Sequence, residues 1–297
     1  MSEPLRVGLI GAGPWARQVH APAIAGHRRT ELVSVWARRP AAAQELAAEY
    51  DTAVAADPDE LIAAVDVVAF AVPPTVQGEL AVRAAAAGRH LILEKPLAGD
   101  LPAAQLLADT VGAADVTAVL FLTSRYAQST VDWLAQAARL GGWVAGGGRW
   151  FAGSALSGPF AGSAWRRDRG ALLDVGPHVL DLLDAALGPI VDVLAAHHSR
   201  PDLWQLLLAH DQGSTSAVSL SLRVPADPSV VEVALYGPHG TFPLPHWPTS
   251  AVDCFSTLLD QLHGLVTDQV RAHPCDVQQG LRLQRVIETA ELLAAES

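Results

Sequence analysis

Leu5-Arg6-Val7-Gly8-Leu9-Ile10-Gly11-Ala12-Gly13-Pro14-Trp15-Ala16 decides how the first half of this chain folds. Leu5 to Ile10 is an apolar run of strand length that meets the pattern G-x-G-x-x-A. A helical stretch follows to about Ala25, with Gly26 placed to cap it. Glycine permits a tight turn and close backbone approach to a pyrophosphate. The helix N-terminus adds amide donors and the positive end of its dipole. Pro14 costs little in a first helical turn, because its missing N–H would have no helical partner there. With a strand before it and a helix after it, the stretch Ile10, Gly11, Ala12, Gly13, Pro14, Trp15 and Ala16 reads as a dinucleotide-binding loop. A purely structural turn is the plainer alternative.

Glu31 to Trp36 is the second strand, and its end bears on which nucleotide fits. An NAD site wants a carboxylate there for the ribose 2′-hydroxyl. This chain has Ala37-Arg38-Arg39-Pro40. Two guanidinium groups suit a 2′-phosphate, so the expectation is NADP(H) favoured over NAD(H), against the alternative of two solvated arginines.

The alternation continues in order. Helix 41–49, helix 57–64 with an Asp-Pro capping signal, and a buried strand 65–72 are followed by Pro73-Pro74 at the strand's carboxyl end, where such sheets place ligands. Helix 75–87 stops at Gly88, strand 90–93 leads into Glu94-Lys95-Pro96, and helix 100–111 precedes a sixth strand over 116–122. The pattern is α/β, a doubly wound parallel sheet ending near residue 122. A first domain of 1–122 and a second of 123–297 are expected, with the last helix packing back on the first.

Lys95 is the only lysine in the chain, the other 19 of 20 Lys+Arg being arginine. A compact ammonium at a strand carboxyl end does what a guanidinium cannot imitate. The rest of the composition narrows the class. Half the residues are hydrophobic, 17% are charged and the net charge is −11, which fits a globular protein and makes nucleic acid a poor partner. No apolar run approaches the roughly 18–20 residues that span a bilayer. Cys254 and Cys275 show no motif spacing, and the strand begins within a few residues of Met1, so a cytoplasmic protein with no signal peptide is expected.

In the second half, Asp174 and His178 are four apart and share a face if helical, with Asp181 three further on. Pro177 restricts the helix start to about 175–177, with Asp174 at or near the cap, and Gly188-Pro189 supplies the stop. Histidine titrates near neutral pH, a carboxylate can orient it, and an ammonium can stabilise a developing alkoxide. The plainer alternative is a capping aspartate and a satisfied buried histidine. Segments 143–151, 191–195, 203–210, 214–224 and 230–236 read as strands. Segments 252–270 and 277–294 read as amphipathic helices, with Asp276 placed to cap the last. His197, His198, His210 and His246 show no metal-ligand spacing, and no metal is expected.

Four blocks together resemble the Gfo/Idh/MocA oxidoreductases, which include glucose–fructose oxidoreductase and inositol dehydrogenase. They are 8–16, the 66–74 strand with its proline pair, Gly88-Arg89-His90-Leu91-Ile92-Leu93-Glu94-Lys95-Pro96, and the stretch 170–188. The resemblance implies a Rossmann-like domain, then an α/β domain with a large open, mostly antiparallel sheet. It also implies a substrate pocket between them and a homodimer or homotetramer formed through that sheet. The catalytic roles of the family carry over to Lys95, Asp174 and His178. Trp165 and Arg166 stand where members often have a Trp-Arg pair near the nicotinamide. With the loop residues, Ala37, Arg38, Arg39, Pro73, Pro74, Glu94 and Lys95 form the expected cofactor side. Arg125 and Tyr126 join Lys95, Asp174 and His178 on the substrate side, or serve as a solvated charge and a packing aromatic. The chain departs from the family in three ways: Gln77 replaces a frequent histidine, only Gly170 remains of a run of glycines, and the chain is short.

The expected function is hydride transfer between NADP(H) and a hydroxyl or carbonyl carbon of a sugar, polyol or similar polar small molecule. A catalytically silent nucleotide-binding sensor of the same fold is the main alternative, and a reductase of a flat ring system a further one.

Overall fold

The computed structural model describes residues 3–157, 170–245 and 249–296. One compact unit comprises Met1–Ala127 with Thr249–Leu281, and the other comprises Gln128–Pro248 with Arg282–Ser297.

The first unit is built on six parallel strands, β1 (Leu5–Ile10), β2 (Thr30–Trp36), β3 (Ala53–Val54), β4 (Val67–Phe70), β5 (His90–Leu93) and β6 (Ala118–Leu120). They lie in the order β3-β2-β1-β4-β5-β6. The order reverses between β1 and β4, so the carboxyl ends of those two strands form the ligand crevice of a doubly wound sheet. β4 is buried at every position, as a strand covered on both faces requires. The crossover helices are α1 (Ala21–Gly26), α2 (Pro40–Glu49), α3 (Pro58–Ala63), α4 (Pro74–Ala86) and α5 (Leu101–Ala114). Asp57 and Asp100 cap α3 and α5, accepting the N–H of Glu60 and of Ala103, each at 2.9 Å.

The helix after the glycine loop differs from the regular one expected. Pro14 and Trp15 are α-helical, residues Ala16–His20 form a π-helical turn, and regular α-helix resumes at Ala21. Pro22 lies just beyond, and its missing N–H removes a donor from the ladder at that point. The first unit also holds α9 (Ala251–Thr267), the helix before the last. Its buried stripe of Cys254, Phe255, Leu258, Leu259 and Leu262 explains why: Phe255 packs 4.8 Å from Phe121 and 4.4 Å from His20, ring centre to ring centre. Burying each such side chain is worth about 1.5–3 kcal/mol. The last helix, α10 (Val277–Ala295), is capped by Asp276, which accepts Gln279 N–H at 2.9 Å; it starts in the first unit and continues into the second.

The second unit is a mixed six-stranded sheet of β7 (Ala145–Phe151), β8 (Ile190–Ser199), β9 (Leu203–His210), β10 (Thr215–Ser221), β11 (Val230–Gly237) and β12 (Gly240–Pro243), ordered β12-β11-β7-β10-β9-β8. Only β7 and β10 run parallel; the other neighbours are antiparallel. α6 (Gln128–Leu140) is an element the sequence reading passed over, although its buried Thr130, Trp133 and Ala137 follow helical spacing. One helical segment covers 170–174 (α7), and α8 (Gly176–Leu187) follows it. α8 lies close on β7 because the facing strand positions are glycines. A β-carbon on Gly148 would collide with Val179, and one on Gly146 would lie 2.8 Å from Leu187.

Candidate active site

A cleft of about 330 Å³ opens at the carboxyl ends of β1, β2 and β4. Gly11, Ala12 and Gly13 form one wall, Ala37, Arg38 and Arg39 the second, and Ala71, Val72 and Pro73 the third. Gly11 has φ +127°, and a β-carbon there would collide with the Ala71 carbonyl, so the loop can pass β4 only as glycine. A β-carbon on Gly13 would meet nothing within 4 Å, so that side of the loop is open to a ligand. A cradle of this shape fits the pyrophosphate of a dinucleotide, and Arg38 and Arg39 beside it are exposed. Ile10 and Ala16 are fully buried behind the loop, and Pro74 is buried in the first turn of α4.

Trp15 reaches away from the loop. Its indole N–H donates to Glu94 Oε1 at 2.6 Å, and His20 Nε2 lies 2.9 Å from the same oxygen. Glu94 is 8% exposed and His20 is fully buried. With His20 Nδ1 unpartnered, the arrangement selects the tautomer carrying its proton on Nε2. Nothing in its spacing marks His20, a buried helical histidine, as a site residue.

Behind the same turn, Gln77 accepts Glu94 N–H at 2.8 Å and donates to the carbonyls of Glu94 at 2.6 Å and Leu97 at 3.0 Å. Lys95 stands between these anchored residues, half-buried, at the carboxyl end of β5, and its bond to Pro96 is cis.

In the second unit, the helix expected to start at 175–177 does so, with Asp174 next to its cap. Val175 occupies the N-cap position with no side-chain cap bond, and Asp174 ends the preceding helical segment. Pro177 cannot donate to the ladder, which separates the two segments. Asp174 is half-buried. His178 is 8% exposed, with its ring 5.7 Å from that of Trp150. Asp202, which sequence reasoning missed, is 4% exposed and anchors this region. Its carboxylate accepts Ala171 N–H at 2.9 Å and Leu222 N–H at 3.1 Å, tying α7 to the end of β10. Gly170, at φ +66°, has no room for a β-carbon beside that carboxylate.

Tyr126 is a packed aromatic. It is 2% exposed, its hydroxyl donates to Leu120 O at 2.7 Å, and its ring packs 5.9 Å from Phe121. Burial and the charge of half-buried Arg125 push the His273 imidazole below its ordinary value. Trp165, Arg166 and His246 lie outside the described residues. His210 is structural, bonded to Gly188 O and to Ser216 Oγ. Among the described residues there is no cluster of His, Cys, Asp and Glu that could hold a metal ion, and no helix is long and apolar enough to cross a membrane.

Residues 5–121 match the model of the oxidoreductase family with NAD-binding Rossmann fold, GFO_IDH_MocA. Among curated proteins, the chain is similar to D-glucoside 3-dehydrogenase of Escherichia coli (strain K12), with 40% identity over 112 residues, 37% of this chain and 32% of that protein. It is also similar to inositol 2-dehydrogenase of Rhizobium meliloti, with 35% identity over 119 residues, 40% of this chain and 35% of that protein. An uncharacterized oxidoreductase of Synechocystis sp. is 38% identical over 99 residues, 32% of this chain and 26% of that protein. These matches therefore span about a third of the relatives' own length. Over whole chains, the fold is that of GenD2 from gentamicin A biosynthesis, solved in complex with NAD (TM-score 0.87, 21% identity, 100% of this chain and 95% of that one). It is also that of a levoglucosan dehydrogenase solved with NADH and levoglucosan (TM-score 0.86, 17% identity, 99% and 98%). The glycine cleft lies inside the stretch that matches the family model, residues 5–121, whose description is an oxidoreductase family with an NAD-binding Rossmann fold.

Proposed function

We propose that the protein is an NADP-dependent oxidoreductase acting on a hydroxyl or carbonyl carbon of a sugar, polyol or similarly polar small molecule. The observation that carries this reading is the cleft in which the open glycine loop faces Arg38 and Arg39, with no carboxylate at the end of β2. Gly11, Ala12 and Gly13 would hold the pyrophosphate through backbone amides, and Arg38 and Arg39 would hold the 2′-phosphate. Bound NADP(H) supplies the hydride chemistry.

The chain's own residues handle charge and protons. The Lys95 ammonium donates to the substrate oxygen and stabilises negative charge developing there. The His178 imidazole takes the hydroxyl proton during oxidation and returns it during reduction. Asp174 orients the imidazole and favours its charged form. The curated relatives named as glucoside and inositol dehydrogenases support the substrate class. We extend the reading to a cytoplasmic homodimer or homotetramer. Exposed Val191, Leu194, Leu207 and Tyr236 on the second sheet support that assembly, and light scattering on the purified protein tests it.

The test of activity is a panel of hexoses, inositols, polyols and keto-sugars, followed by NADP reduction or NADPH oxidation. Turnover of at least one panel member supports the reading. Tight NADPH binding with no turnover on any member would replace it with a nucleotide-binding sensor.

A further inference from the structure

We propose that Gln77 is a positioning residue for Lys95: its side-chain amide fixes the backbone turn that presents the ammonium. The proposal rests on the reading that Lys95 acts on the substrate oxygen.

Gln77 is fully buried on α4, and its bonds from both ends of the amide go to one turn. Oε1 accepts Glu94 N–H at 2.8 Å; Nε2 donates to Glu94 O at 2.6 Å and to Leu97 O at 3.0 Å, with Pro96 O at 3.3 Å. The amide thus closes a two-bond ring on the residue before Lys95 and grips the backbone again two residues after it. Its orientation is determined by these partners. Turned over, Nε2 would face the Glu94 N–H, and the oxygen would face three carbonyls.

The approach of α4 is close because the packed positions are small. A β-carbon on Gly78 would stand 3.1 Å from that of Ala98, and Gly99 packs against Thr75. A buried amide with both ends bonded cannot exchange its partners for water, so the turn has one arrangement. That matters for a lysine, whose long side chain aims well only if its backbone is fixed. A displacement of about 1 Å at a reacting group costs roughly 10²-fold in rate. The histidine frequent at this place in the resembling family also offers one donor and one acceptor, so it can replace part of the grip.

The test is a double-mutant cycle on Gln77→Leu and Lys95→Met, assayed with NADPH and the best-used sugar of the panel. Expected is a kcat loss of about 10²-fold for Gln77→Leu with nucleotide KM changed by no more than about twofold, a split that a lost binding contact would not give. Gln77→His should recover most of the rate. In the Lys95→Met background, Gln77→Leu should cost nothing further, because both act through one group. Losses that multiply would overturn the proposal, as would wild-type kcat in Gln77→Leu beside an inactive Lys95→Met. Wild-type kcat in Lys95→Met would instead remove the underlying reading of Lys95. If Gln77→Leu does not fold, Gln77→Asn takes its place in the cycle. The single lysine gives one backbone amide signal in protein labelled with [15N]lysine, which needs no substrate. Expected is a displaced signal in any folded Gln77 variant, and an undisplaced one overturns the proposal.

Discussion

The indole N–H of Trp15 donates to Glu94 Oε1 at 2.6 Å, so the glycine loop and the strand end that bears Lys95 are joined through one buried carboxylate. Trp15→Phe keeps most of the apolar area and removes the donor. A hydrogen bond to a charged acceptor is worth about 1.5–3 kcal/mol, and a loss of unfolding free energy of that size, read as a lower urea midpoint at unchanged slope, is the expected result.

Two glycines two residues apart should respond in opposite ways. Gly11→Ala puts a methyl group against the Ala71 carbonyl at a backbone angle that L-residues rarely adopt. It should lower Tm markedly. Gly13→Ala has space for its methyl group and should leave Tm nearly unchanged, while the methyl occupies the approach a pyrophosphate needs. Thermal melts alongside NADPH fluorescence titrations separate the two effects.

Arg38 and Arg39 face the cleft from the end of β2. Replacing both by alanine should weaken NADPH binding by about 10–100-fold, as expected for one or two charge-assisted contacts, and change NADH binding little. Equal affinities for NADPH and NADH in the wild-type protein would remove the NADP preference from the account.

Three imidazoles of the first unit give stability a defined pH dependence. Burial is the main cause holding His90, His273 and His27 below the ordinary histidine value of 6.5; Arg271 assists at His90 and Arg125 at His273, while Asp260 opposes it at His27. Between the depressed folded values and 6.5 the unfolded chain binds more protons, so stability rises with pH through that window. Tm should fall as pH drops below about 6.5. His90→Asn, which keeps an acceptor for the Thr117 N–H, should flatten that slope.

Much of this was legible in the sequence, for identifiable reasons. The strands β1, β4 and β5 are short, mostly apolar and punctuated by Gly and Pro, and β2 keeps Leu32, Val33, Val35 and Trp36, so their order and the position of Lys95 could be read directly. The π-helical turn at Ala16–His20 could not, because it depends on how the ladder adjusts around Pro22. Tyr126 could be read either as a pocket residue or as a packing aromatic, because its hydroxyl partner, the carbonyl of Leu120 six residues back, is set by the fold. Gln77, Asp202 and His20 carry ordinary polar side chains with no local pattern. Their importance comes from partners 17, 31 and 74 residues away, which only the folded chain brings together.

The central claim, that Lys95 serves hydride-transfer chemistry on a sugar-like substrate, is tested most directly by the kcat of Lys95→Met on the panel member that the wild-type protein turns over fastest. The expected result is a fall of about 10²–10³-fold in kcat, the scale of losing one preorganised donor to a developing oxyanion, with NADPH affinity retained. Wild-type kcat in Lys95→Met would contradict the account.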